Sequence, residues 1–111
     1  MGALSLLIDE RFKGPVLPIE NPEISSVGTT STTVFRASDD RLAFIIVNLS
    51  GAAMFARPRL VASSSAGFRL GPNGGFIRLL WDEDFLLVGL EWNIIADAAA
   101  SNLYSVEYRR R

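Results

Sequence analysis

Turn-forming residues interrupt this chain roughly every eight to twelve positions, which leaves room for short strands and little else. Residues 25–37 are rich in Ser, Thr and Val, a composition that fits a pleated, half-buried surface. Asp39-Asp40 marks a turn. Residues 41–49 (Arg-Leu-Ala-Phe-Ile-Ile-Val-Asn-Leu) are apolar at both parities, the pattern of a central strand covered on each side. After a reversal through Ser50-Gly51, residues 53–61 can form another strand, with Pro58 demoting its middle to an edge or a bend. Residues 63–67 form a loop before the short strand Phe68-Arg69-Leu70.

The clearest turn is Gly71-Pro72-Asn73-Gly74-Gly75, because Pro presets φ and Asn-Gly readily takes positive φ. Residues 76–81 are expected to pair back across it. The acidic connection 82–84 precedes one or two more strands in 85–96. Ala98-Ala99-Ala100 offers helix propensity, but the segment is too short to stand alone and reads as a loop. Residues 102–109 close the domain, with Tyr104, Val106 and Tyr108 on one face and Ser105 and Glu107 on the other. The expected fold is all-β: a β-sandwich or jelly roll of about seven to eight short antiparallel strands.

The N-terminal part has a different texture. Gly14, Pro15, Pro18 and Pro22 are spaced so that neither a helix nor a central strand persists. Residues 1–24 therefore read as an extended arm and residues 25–111 as the β-sandwich domain, a one-domain length. Leu4, Leu6, Leu7, Ile8, Val16, Leu17 and Ile19 are the arm's candidate anchors, either along its own domain or across a neighbouring subunit. With 49% hydrophobic residues and a mean hydropathy of +0.25, the chain holds more apolar material than one small core absorbs. The surplus is expected to meet another protein surface.

Eleven basic and twelve acidic side chains give a net charge of −1, so no field of one sign exists to attract a polyphosphate, and no specific nucleic-acid partner is expected. The basic run Arg109-Arg110-Arg111 reads as a solvated tail. Residues 1–8 are too short to span a bilayer, and no membrane partner is expected. The sequon Asn48-Leu49-Ser50 falls inside a predicted strand and reads as a chance occurrence.

Cysteine and histidine are both absent. The first absence excludes disulfides and thiolate metal sites, and the second removes the usual general base near neutral pH. Asp82-Glu83-Asp84 is a dense carboxylate cluster, yet three adjacent acids point different ways and lack the alternate spacing of a Ca²⁺ loop. A glycosidase pair would need a cleft for which little chain remains. Ser63-Ser64-Ser65 has no base to activate a hydroxyl, and the glycines at 71–75 match no phosphate loop. No enzyme activity, cofactor or metal is expected. Trp81, Trp92, Tyr104 and Tyr108 offer an aromatic platform for stacking sugars or bases; Trp92 follows the row Leu86, Val88, Leu90 and reads as core, whereas Trp81, with Asp82 and Asp84, forms a candidate ligand surface.

Three stretches carry a resemblance: residues 26–34 (Ser-Val-Gly-Thr-Thr-Ser-Thr-Thr-Val), residues 41–50 from Arg-Leu-Ala to Ile-Val-Asn-Leu-Ser, and residues 67–76 (Gly-Phe-Arg-Leu-Gly-Pro-Asn-Gly-Gly-Phe). With the ending Glu91-Trp92-Asn93-Ile94-Ile95-Ala96 and residues 102–107, the pattern resembles small β-sandwich structural proteins of tailed bacteriophages and related virus-like particles. It covers residues 25–108 and contains turns and core strands, none with a defined chemical role. The resemblance implies a virion component, either a capsid decoration or auxiliary protein or a head-spike module. Such a protein would assemble as a cyclic homo-oligomer, by analogy a trimer, and contact other virion proteins. The alternative is a carbohydrate- or receptor-binding module of a tail fibre or spike, with a glycan as its partner.

Overall fold

The structure, a computed structural model, describes residues 16–20, 25–81 and 85–110. Within them lie nine strands: β1 (Val16–Glu20), β2 (Ser26–Val27), β3 (Thr32–Phe35), β4 (Arg41–Asn48), β5 (Met54–Pro58), β6 (Phe68–Leu70), β7 (Phe76–Leu80), β8 (Trp92–Ala96) and β9 (Ser101–Arg110). They form two antiparallel sheets packed as a β-sandwich. The five-stranded sheet runs β1-β9-β4-β7, with β2 also on β9, and the four-stranded sheet runs β3-β8-β5-β6. Four of the pairings are nested: β2 with β9, β3 with β8, β4 with β7 and β5 with β6.

Alternation fills the space between the sheets. Phe44 and Ile46 of β4, Met54 and Ala56 of β5, and Trp92 and Ile94 of β8 are all buried. The Phe44 ring lies 5.1 Å from Phe35 and 5.2 Å from Trp92, both tilted, the spacing at which aromatic pairs attract. Trp92 has no exposed surface, and its indole N–H donates to the Leu87 carbonyl at 2.9 Å, so its ring is buried without stranding the donor. Burial of a side chain of this size contributes roughly 1.5–3 kcal/mol.

Several strands depart from expectation. Residues 76–80 do form β7, but it pairs with β4 in the five-stranded sheet, while β6 pairs with β5 in the other. The turn at 71–75 thus carries the chain between sheets and closes no hairpin. Residues 85–96 yield one strand, β8, preceded by a short 3-10 helix, Phe85–Gly89, which turns Val88 into the core and Leu86 into solvent. Pro58 does not weaken the middle of β5. That strand lies inside its sheet between β8 and β6, Pro58 is its last residue, and the bend comes at Arg59 with φ 69°. Arg109 and Arg110 belong to β9, paired with Leu17 and Val16, and are not a free tail.

Two buried polar residues close the ends of the sandwich. At one end a one-residue bulge between Arg41 and Ala43 re-aims Arg41 into the interior. Its Nε donates to Glu107 Oε2 at 3.0 Å, Nη1 to the carbonyls of Val88 and Leu90, and Nη2 to that of Arg36, while the guanidinium stacks 4.9 Å over Phe35. Burial pushes the Arg41 guanidinium below its ordinary pKa, and Glu107 opposes that push. At the other end Asn48, fully buried, donates from Nδ2 to the carbonyls of Ala52, Leu70 and Gly71 and accepts at Oδ1 from Ser50. The sequon asparagine is therefore a turn clasp.

Candidate interaction surface

Strand register decides which side chains share the outer face of the five-stranded sheet. Directly opposed residues stand on one side, so the pairings generate three rows. Phe76, Val47 and Tyr104 form the first; Arg78, Ile45 and Val106 form the second; Leu80, Ala43, Tyr108 and Pro18 form the third. Apart from Arg78 at the end of the middle row, these rows hold aromatic and aliphatic residues and Pro18. Phe76 is 61% exposed, and Tyr104 and Tyr108 are each 43% exposed.

The opposite face of β9 explains why this surface is apolar. Its inward row is Leu103, Ser105 and Glu107, all buried, with Glu107 held by Arg41. With Glu107 drawn in to meet Arg41, Tyr104 and Tyr108 face outward, and Val106 lies between them on the same side at 9% exposure. The chain reads inside-out along this strand. Hence β4, expected to be covered on each side, has the core on one face and only the half-buried Ala43, Ile45 and Val47 on the other.

The outer face of the four-stranded sheet is different in kind. Thr33, Asn93, Arg57, Phe55, Ile95 and Arg69 share it by register. Residues of the β5–β6 connection fold over it: Asn93 Nδ2 donates to the Leu60 carbonyl at 2.9 Å, and the Ala62 amide donates to Ser31 Oγ at 3.0 Å. Ala62 is buried there, whereas Leu60 and Val61 are exposed at the tip.

A second feature is a depression of about 480 Å³ beside the Arg41 end, lined by Leu42, Trp81, Leu86 and Leu90, with Ser38 and Asp39 at its polar side. Trp81 follows β7 directly and is 37% exposed. Asp82 and Asp84, the acidic half of the candidate ligand surface, lie outside the described residues, so only Trp81 is placed. Among the arm anchors, Leu4, Leu6, Leu7 and Ile8 also lie outside them. Val16 and Leu17 fall in β1, whose backbone pairs with β9 of the same chain, and Ile19 is 39% exposed on that edge strand. Residues 16–20 of the expected arm thus contribute a strand to the body.

Tyr104 and Tyr108, expected in an aromatic platform with Trp81 and Trp92, stand on this face while Trp92 is buried in the core; Phe76, Ile45 and Val47 were not among the residues expected to form a surface. The signals for them were the apolar run at both parities in 41–49 and the Tyr-Val-Tyr row in 104–108, neither of which states which face is buried. Searches of protein-family models, curated proteins and solved structures find no match to this chain.

Proposed function

We propose that this protein is a non-enzymatic structural subunit of a virion-like particle, a decoration, auxiliary or head-spike component that acts by associating with copies of itself and with other shell proteins. One observation carries the reading: a sandwich whose core is already filled presents an aromatic, aliphatic sheet face to its surroundings, with Phe76 61% exposed. The nested strand pairings support it, since they follow the order of a jelly roll rolled up from one long hairpin, an architecture common to viral shells and lectins. Fold alone assigns no role, so the weight rests on the surface. The N-terminal residues, with Leu4, Leu6, Leu7 and Ile8, are proposed to anchor the subunit to its neighbours. The test is the native mass of the full chain at micromolar concentration. A defined multimer is expected, and a monomer persisting at high concentration sinks the proposal.

The depression beside Trp81 favours a second reading, a glycan-binding module, because an indole next to a carboxylate such as Asp39 suits a sugar ring. Trp81→Ala separates the two: loss of binding on a glycan array with assembly intact favours the second.

A further inference from the structure

We infer that the depression beside Trp81 is the socket for the protein's own N-terminal apolar run, Leu4 to Ile8, which in the isolated subunit docks over the Arg41 end of the sandwich. Strand directions bring the two together. Both β1 and β4 run antiparallel to β9, so both begin at the same end, and β7 finishes there. Register makes the placement specific. Leu17 pairs with Arg109, Arg109 with Arg41, and Leu80 with Ala43, so Trp81 follows at the level of Leu42. The Arg110 amide donates to the Asp40 carbonyl at 2.8 Å, and Arg110 is the partner of Val16. Residues 1–15 therefore join the body one strand away from the turn that carries Ser38 and Asp39, the polar side of the depression.

Reach and chemistry select the occupant. Three strand spacings of ~4.8 Å put Trp81 about 14 Å from Leu17. The chain from Val16 back to Ile8 spans up to about 26 Å at ~3.3 Å per residue. Gly14-Pro15, immediately before β1, supplies the turn chemistry that a return needs. The depression holds about 480 Å³, within the roughly 300–1,000 Å³ of sites that bury a small ligand, and Leu42, Leu86 and Leu90 line it. Leu86 is 86% exposed, an aliphatic side chain standing in water at the rim. A tether this short holds the apolar run at a roughly millimolar effective concentration, so it outcompetes a second copy present at micromolar levels. The socket does not rest on the self-association proposed above. Within an assembly the same segment reaches a neighbour's socket by exchange, which gives the anchoring its site.

The chain has no cysteine, so a pair introduced at Leu6 and Leu86 reports the contact directly. For Leu6→Cys with Leu86→Cys, oxidation of the full chain in dilute solution is expected to give an intramolecular bridge, read as a monomer band with the bridged peptide in its digest. Leu6→Cys with Phe76→Cys, at the opposite end of β4, is expected to bridge at least tenfold more slowly. No bridge at Leu86, or equal rates at both sites, overturns the socket. A bridge formed only between chains overturns docking within the chain while supporting the anchoring role. Iodide quenching is the second measurement, because Trp92 has no exposed surface and quenchable emission reports Trp81. Deleting residues 1–15, or combining Leu6→Asp with Leu7→Asp, is expected to raise the quenching constant about twofold or more. An unchanged constant overturns the proposal, and a constant that only an added glycan lowers gives the depression to the sugar instead. Native mass judges self-association separately, so either proposal can fail while the other stands.

Discussion

Replacing Arg41 with alanine would remove four donated hydrogen bonds at once and leave the Glu107 carboxylate, 12% exposed, with Arg109 at 3.5 Å as its remaining ion-pair partner. Breaking a buried ion pair from one side costs about 3–5 kcal/mol, a large share of the roughly 5–15 kcal/mol that holds a domain of this size. Urea unfolding of Arg41→Ala is expected to show that loss. Glu107→Gln keeps a carbonyl oxygen facing the guanidinium and is expected to lose less, about 1–3 kcal/mol. Equal losses for the two variants would mean that the charge of Glu107, and not the fork of donors on Arg41, holds this end of the sandwich together. Asn48 has the corresponding role at the far end, and it shows why a motif reading stops at the residue. Asn-Leu-Ser says nothing about whether the amide faces water, whereas its bonds to Ala52, Leu70 and Gly71 leave no room for a glycan.

The turn at 71–75 works as an element because backbone groups approach closer there than a side chain permits. Asn73 and Gly74 have φ of 59° and 114°, and a Cβ on Gly75 would stand 2.3 Å from both N and O of Gly71. Gly75→Ala is expected to cost about 2 kcal/mol or more and to lower the melting temperature by roughly 8 °C or more. Gly51→Ala, where nothing lies within 4 Å, is expected to stay within about 0.5 kcal/mol of the parent in the same melts. Turn chemistry of this kind is local, so the reversal at 71–75 was legible from Pro72-Asn73-Gly74-Gly75. The pairing that follows it was not. A turn specifies that the chain reverses, while the choice of β4 over β6 as partner for β7 depends on burying Ile77 and Leu79 opposite Ile46 and Phe44, residues some thirty positions away. Strand β9 failed to declare its buried face for a related reason. Its two rows were plain, but Glu107 turns inward to meet an arginine aimed there by a bulge in another strand. In residues 85–90 an alternation suggesting a strand covers a 3-10 helix, because a period of two and a period of three agree over so few residues.

At the scale of the whole molecule, the described core cluster draws on residues from Val27 to Leu103. The N-terminal strand adds main-chain pairing along Val106–Arg110 and covers that edge of β9, and its Pro18 and Ile19 are exposed. Deleting residues 1–24 is therefore expected to leave a cooperative two-state unfolding transition, with a stability loss of a few kcal/mol at most, by the same logic that makes edge strands cheaper to remove than core strands. The exposed segment of β9 would then present unpaired backbone groups beside the outward row Tyr104, Val106 and Tyr108. Light scattering at rising concentration is expected to show open-ended association of the truncated chain, in place of the defined multimer of the parent, because a bare apolar edge recruits strands without closing a point group. Collapse of the unfolding transition on truncation would instead place β1 within the folding unit, and the boundary between leader and body would then lie before residue 16.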